Sequence, residues 1–301
     1  MDFFGIKNDS SEADTEFVIQ KELFKNTLKK NVLNKYVNLE DVEVPKFETN
    51  FVKKPVLFEH FEALNGITKD IKDGSLITNR CPLRLLGLNE SCSLRMFSIV
   101  KNVNGEEKKF YILQTSPSRK SWSSLAAYKI GIGLEATIAE DISSYVTYRY
   151  NKFTVRNSKS SIIDIHYSAQ IDIFDGVGDP VEIKALNFKK LNGTKELPLE
   201  FAWKTLLQCK IGKTDKLLLG FNTYPETNEI LVKSFMVPDV YVGRVKTAVD
   251  LGLTRMKENL TKIINEYQTK YDGKIIRVEK CAMNENKDFF TFIVMDKLDC
   301  L

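Results

Sequence analysis

The chain is short of the residues on which most enzyme chemistry leans. It has only two histidines, His60 and His166, and they are not spaced to place two imidazoles on one metal. Both are therefore expected to be structural, with catalysis running without histidine. Its five cysteines (Cys81, Cys92, Cys209, Cys281 and Cys300) are scattered, odd in number and lack Cys-x-x-Cys spacing. That argues against a thiolate zinc site and favours reduced thiols in a nuclear or cytoplasmic compartment. Apolar runs are short: one of the longest, Phe289 to Met295, is seven residues, against the roughly 20 needed to span a bilayer. No membrane partner is expected. The N-terminus has neither a basic flank nor an apolar core, so it does not read as a signal peptide. There is no Pro/Gly/Ser-rich linker, no internal repeat and no basic run of five or more, hence no visible nuclear signal. The 44 basic and 40 acidic residues leave a net charge of +4, too small to argue bulk nucleic-acid binding.

What remains is the composition of a soluble globular enzyme, 43% hydrophobic and 28% charged. Periodicity predicts one mixed α/β domain over residues 15–301, with mixed β-sheets flanked by helices, after a polar, mobile segment at 1–14. Helices are expected at Glu16–Tyr36, Val56–Leu64, Ser123–Ile142, Phe201–Lys210 and Val242–Tyr267. Residues Val42–Pro55 read as extended. Strands are expected at Leu76–Leu86, Leu94–Val100, Lys108–Gln114, Val146–Val155, Ser161–Phe174, Val181–Ala185, Lys216–Phe221, Ile230–Met236, Lys274–Val278 and Phe289–Val294.

The chemistry begins at Asp172, Glu182 and Lys184. Asp172 lies in Gln-Ile-Asp-Ile-Phe-Asp, Glu182 and Lys184 in Val-Glu-Ile-Lys-Ala, and Gly-Val-Gly-Asp-Pro between them reads as a turn. A hairpin would set Asp172 opposite Glu182, and strand alternation puts Glu182 and Lys184 on one face. Two carboxylates and an ammonium on apolar strands are costly to bury without a purpose. A divalent cation supplies one, with the lysine orienting water; on a solvated strand the same triplet would be an ordinary salt-bridged face. Other segments are equally open when taken singly. Glu135, in Gly-Ile-Gly-Leu-Glu, fits a solvent-facing helical glutamate, Gln208 a surface glutamine, and Arg80 a surface arginine.

Their order is more specific. Arg80, then the Gly-x-x-x-Glu ending at Glu135, then Asp172, then Glu182-x-Lys184, then Gln208 before the apolar strand Leu217–Phe221 resembles the DXO family of decapping and 5′-end quality-control exoribonucleases. The likeness runs from about Tyr36 to the C-terminus. It implies a D-(D/E)xK nuclease-like core in which Glu135, Asp172, Glu182 and the Ile183 carbonyl hold Mg²⁺ or Mn²⁺, two ions about 4 Å apart. In that scheme Lys184 positions water and offsets charge, Gln208 holds a phosphate, and Arg80 grips the 5′-end phosphates. Lys129, Lys189, Lys190, Lys204, Lys210 and Lys213 are candidates to track a single RNA strand, and Trp122 and Tyr128 to stack on a base, Trp122 equally being core. One departure stands out: the family's Glu-x-Asp is Gln170-x-Asp172 here, so Gln170 is a weakened metal position carrying one negative charge fewer. The implied substrates are RNA 5′ ends bearing a triphosphate, an incompletely methylated cap or an NAD cap. The implied partners include a 5′→3′ exoribonuclease, and the resemblance favours the nucleus. A catalytically weak partner that stabilises such an exoribonuclease is the alternative. A DNA nuclease of the same core is a third reading, which Arg80 argues against.

Overall fold

The computed structural model describes residues 3–7, 17–18, 27–38, 71–103, 105–116, 130–131, 133–140, 145–157, 160–187, 197–222, 229–282 and 288–295. Alternating apolar and polar residues over 92–115 and 145–171 build the long antiparallel strands β5 (Cys92–Val103), β6 (Glu106–Thr115), β7 (Tyr145–Arg156) and β8 (Ile162–Ile171). They form the middle of a nine-stranded sheet with β1 (Phe3–Lys7), β2 (Phe17–Val18), β4 (Leu76–Asn79), β13 (Ile276–Ala282) and β14 (Asp288–Val294). The order is β14-β13-β5-β6-β4-β8-β7-β1-β2, with β4 parallel to both its neighbours and all other pairs antiparallel.

A second sheet has five strands: β3 (Lys35–Asn38), β12 (Glu229–Met236), β11 (Lys216–Asn222), β10 (Pro180–Asn187) and β9 (Ile173–Phe174), in that spatial order. Its β10 and β11 are parallel and are linked through helix α2 (Leu199–Gly212), as a parallel pair requires. The other helices are α1 (Arg80–Gly87), the short α3 (Val237–Val240) and the long α4 (Gly243–Glu266), which runs into a π-helical turn at Tyr267–Tyr271. None of the helices among the described residues is long and apolar enough to cross a membrane.

One apolar core joins the two sheets to the helices. Leu76, Ile165 and Tyr167 come from the larger sheet, and Leu217, Leu219 and Phe221 from the smaller. Leu83 and Leu86 of α1, Leu206 and Leu207 of α2, and Leu260, Ile263 and Ile264 of α4 complete it. Each such side chain removed from water contributes ~1.5–3 kcal/mol. The other face of the five-stranded sheet (Val181, Ile183, Leu218, Ile230, Val232) is covered by Leu134 and Ile138 of a helical stretch at 133–138. Helices α1 and α4 meet closely at Gly87, where an added Cβ would lie 2.8 Å from the Gly252 carbonyl oxygen. Only glycine allows that approach.

The expected mixed α/β architecture is present, and most strands lie where alternation puts them. Four segments differ, one being Ser161–Phe174, expected as a single strand but divided between β8 of the larger sheet and β9 of the smaller. Leu76–Leu86, expected as one strand, is β4 followed by α1: the Asn79 Oδ1 caps the helix by accepting from the Cys81 N–H at 3.0 Å, and Pro82 sits in the first turn, where its missing N–H costs nothing. Glu16–Tyr36 has the spacing of an amphipathic helix, yet its described residues hold β2, isolated bridges at Thr27 and Leu28, and the start of β3. Asn31 and Asn34, at φ 88° and 59°, turn the chain through the left-handed region and prevent a helix there. Within the segment expected to be mobile, Phe3–Lys7 pair with β7 from Phe3 opposite Arg149 to Lys7 opposite Tyr145. The expected extended stretch at 42–55 and helix at 56–64 lie outside the described residues.

Candidate active site

The hairpin that was expected to bring Asp172 and Glu182 together is present. Strands β9 and β10 pair antiparallel, Ile173 opposite Val181, and the Asp172 Oδ2 accepts the Ile183 N–H at 2.8 Å. The turn between them is tied by Asp175, whose Oδ1 accepts the N–H groups of Val177 and Asp179 at 3.0 and 2.8 Å, with Gly178 at φ 88°. An Asp side chain closing its own turn and a glycine at positive φ are what that geometry needs.

Alternation along β10 sends Val181 and Ile183 into the core under the 133–138 helix, and Glu182 and Lys184 to the opposite face. There Glu182 is 1% exposed, and no free solvent remains to neutralise it. Protein donors do so instead. The Arg80 Nη1 donates to Glu182 Oε2 at 2.5 Å; the Lys184 Nζ and the Gln208 Nε2 both donate to Oε1. The Lys184 Nζ also donates to the Ile183 carbonyl at 2.9 Å. Gln208 reaches the site because α2 packs over β10, and Arg80 because it opens α1. Gly212, at the end of α2, leaves the room Arg80 uses: a Cβ there would lie 3.1 Å from its Nη1.

The electrostatics follow from burial and these partners. Burial alone would raise the Glu182 carboxyl; the Arg80 and Lys184 charges outweigh it and hold it well below the usual carboxylate range. Asp172 goes the other way, raised by burial and then by the Glu182 charge. Glu135, on the helix at 133–138, is raised by burial and then by Asp172. Lys184 would be lowered by burial, but Glu182 and Asp172 raise it, so it stays an ammonium. Three mutually repelling acids with two cations form a cluster of hard oxygen donors that a further cation would relieve, which fits a divalent metal in chemical type. Among the described residues no three His, Cys, Asp or Glu side chains converge as a ready-made shell, and both Glu182 oxygens face protein donors.

The structure therefore brings together Arg80, Glu135, Asp172, Glu182, Lys184 and Gln208, residues spread over more than a hundred positions of sequence. It sets Gln170 apart. That side chain lies one residue before the end of β8, opposite Tyr148, is exposed, and makes no hydrogen bond to the acidic cluster among the described residues. Of the lysines considered for RNA, Lys204 is paired with Glu90 and with Glu200 at 2.6 Å, and Lys210 lies 4.4 Å over the Tyr241 ring. Lys213 is the left-handed cap of α2, its carbonyl taken by Arg149. Lys129, Lys189, Lys190, Trp122, Tyr128 and His60 lie outside the described residues. His166 is buried on β8, with its Nδ1 2.7 Å from the Tyr150 hydroxyl. One site neighbour escaped the sequence: Arg84, whose Nη1 donates to Gln208 Oε1 at 3.3 Å. Its signal was the spacing of four from Arg80, legible only once the segment is known to be helical.

No family model matches the sequence, and no curated protein matches it by sequence. Solved structures do match. The Rai1 of Scheffersomyces stipitis, in complex with (3′-NADP)⁺ and calcium, superposes with a TM-score of 0.61 at 14% identity, covering 98% of this chain and 89% of that one. The chain has the fold of Rai1. The Candida albicans Rai1 in complex with pU5-Mn²⁺ gives 0.57 at 13% identity over 98% of this chain and 89% of its own. The K. lactis Dxo1 in complex with manganese gives 0.51 at 16% over 85% and 75%. At such low identity the Rai1 and Dxo1 likeness establishes the shared architecture of two mixed sheets with flanking helices.

Proposed function

We propose that this chain is a divalent-cation-dependent hydrolase of RNA 5′ ends of the DXO type. The observation that carries the reading is the convergence on Glu182: a carboxylate 1% exposed, held by Arg80, Lys184 and Gln208 and electrostatically linked to Asp172 and Glu135. These are the residues singled out by their order in the sequence. The shared fold with Rai1 and Dxo1 structures that hold a 5′-phosphorylated oligouridylate, a dinucleotide and divalent ions supports it.

Glu135, Asp172, Glu182 and the Ile183 carbonyl would hold the cation, Mg²⁺ or Mn²⁺, as one or two ions. What a cation adds at such a site is polarisation of the scissile phosphorus–oxygen bond and charge relief at the leaving oxygen. The chain's own residues do the rest. Lys184, kept protonated by Glu182 and Asp172, orients the attacking water and offsets the negative charge of the transferring phosphoryl group; as an ammonium it has no lone pair with which to take the water's proton. Arg80 fixes one Glu182 oxygen and offers its remaining N–H groups to the 5′ phosphates. Gln208 carries an amide that bridges the carboxylate and the phosphate position. The substrates are 5′-triphosphate, incompletely methylated-cap and NAD-capped RNAs.

The test compares the chain with Asp172→Ala and Gln170→Glu on those three RNAs, with Mg²⁺, Mn²⁺ or chelator. Expected are 5′ products only with cation, none from Asp172→Ala, and release from Gln170→Glu at about the rate of the unmodified chain, because that side chain is exposed and set apart from the cluster. Absence of product from the chain and from Gln170→Glu on every 5′ end would overturn the reading in favour of a non-catalytic partner of an exoribonuclease.

A further inference from the structure

We propose that Arg84 is a positioning residue of this site: its guanidinium fixes the Gln208 side-chain amide in the orientation that turns the NH₂ toward Glu182. The inference deepens the hydrolase reading and rests on it for its meaning in catalysis, though not for its geometry.

Helix α1 begins at Arg80, and Arg84 follows one turn later on the same face. Arg80 donates to Glu182 Oε2 at 2.5 Å. Arg84 donates at 3.3 Å to Gln208 Oε1, and Gln208 in turn donates through Nε2 to Glu182 Oε1. One helix thus addresses both oxygens of a single carboxylate, one directly and one through an amide. Gln208 is 8% exposed, so water is not a free substitute for either partner. A glutamine amide has an acceptor end and a donor end of nearly the same shape, and only its neighbours decide which way it faces. A guanidinium has donors alone and a carboxylate has acceptors alone. With Arg84 on one side and Glu182 on the other, a flipped amide would set oxygen against oxygen and NH₂ against guanidinium. Without Arg84 half of that discrimination is gone, and the Glu182 oxygen it steadies has only Lys184, whose flexible ammonium is shared with the Ile183 carbonyl. Groups that orient the residues of a metal or catalytic site in this way are worth roughly 10- to 100-fold in activity.

The decisive measurement is the side-chain amide signal of Gln208 in a ¹⁵N spectrum of the full chain, assigned by its loss in Gln208→Glu. In the unmodified chain the two amide protons are expected to be widely split and slow to exchange with water. In Arg84→Met the splitting collapses and exchange quickens, and Arg84→Lys, which keeps one donor, recovers part of it. An unchanged signal in Arg84→Met overturns the inference. Kinetics supply the second readout. Arg84→Met is expected to lower kcat roughly 10- to 100-fold with KM unchanged, and to cost nothing more when combined with Gln208→Met. A double variant that loses the full product of the two single effects overturns it as well. If no form turns over any RNA 5′ end, the proposed function fails, and the amide signal still decides the role of Arg84.

Discussion

Lys280 tests how the site is held from a distance. Its side chain is 1% exposed, yet it is a lysine. Its Nζ donates to the Leu85 carbonyl at 3.1 Å and to the Leu88 carbonyl, and lies 3.5 Å from Asp288, whose side chain is 2% exposed. It thus binds the carbonyl end of α1, where the helix dipole favours a cation, and ties that helix to β13 and β14. Burial pulls the Lys280 pKa down, with Asp288 opposing. Lys280→Met keeps the length of the stem and removes the charge. It leaves the α1 carbonyls without their donor and Asp288 with Asn259 at 2.5 Å and Arg255 only at 4.0 Å. Breaking a buried pair from one side costs ~3–5 kcal/mol; because Asn259 and Arg255 remain, about 3 kcal/mol is expected. Urea unfolding followed by circular dichroism reads this as a lower midpoint at unchanged slope. Lys280→Met combined with Asp288→Asn removes the stranded charge and should recover most of the loss. A single variant within about 0.5 kcal/mol of the unmodified chain, the ordinary range for a surface change, or a double variant no better than the single, would refute the reasoning.

Other outcomes follow from the same geometry. Gly220→Ala places a Cβ 2.5 Å from Ile230 Cδ1 and 2.6 Å from Leu134 Cδ2, so it is expected to cost ~1–3 kcal/mol in urea unfolding and, through Leu134, to weaken Mn²⁺ binding measured by calorimetry at the neighbouring Glu135. His166 has its pKa lowered to about 4, first by burial and then by Lys152. Since the unfolded imidazole titrates near 6.5, the unfolded chain binds more protons between those values. Stability is therefore full above about pH 6.5 and falls by on the order of 2–3 kcal/mol as the pH drops toward 4; His166→Gln should flatten that part of the stability curve. Millimolar Mn²⁺ is expected to raise the melting temperature of the unmodified chain and leave Asp172→Ala unchanged, since only a ligand that binds the folded form stabilises it.

The parts of the site that were legible in the sequence are those whose signal is local. The Asp172–Glu182 hairpin could be read because a two-residue period and a Gly-Val-Gly-Asp-Pro turn fix register within a dozen residues. Gln208 was found through the order of motifs. Arg84 was missed because Leu76–Leu86 resembles a strand until Asn79 and Pro82 are recognised as a helix start, and without a helix the spacing of four has no meaning. Gln170 entered only through the resemblance to a Glu-x-Asp motif, with no local signal of its own; the chain changes sheet after Ile171, passing from β8 into β9, and leaves that side chain exposed. The Lys280 network had a faint signature. Ile276, Val278 and Lys280 share one face of β13, so a lysine stood where alternation demanded an apolar residue.

The crossover from β10 through α2 to β11 has a consequence for how the molecule assembles. It carries Glu182, Lys184 and Gln208 within 27 residues, so this unit can bring them together by local contacts early in folding. Arg80 belongs to another part of the chain and arrives only when α1 docks. Until then the Glu182 carboxylate keeps water that the finished core excludes, and afterwards it is the ion pair that replaces that water. The Arg80–Glu182 pair therefore couples the docking of α1 to the closing of the core, and the two should be lost together on unfolding.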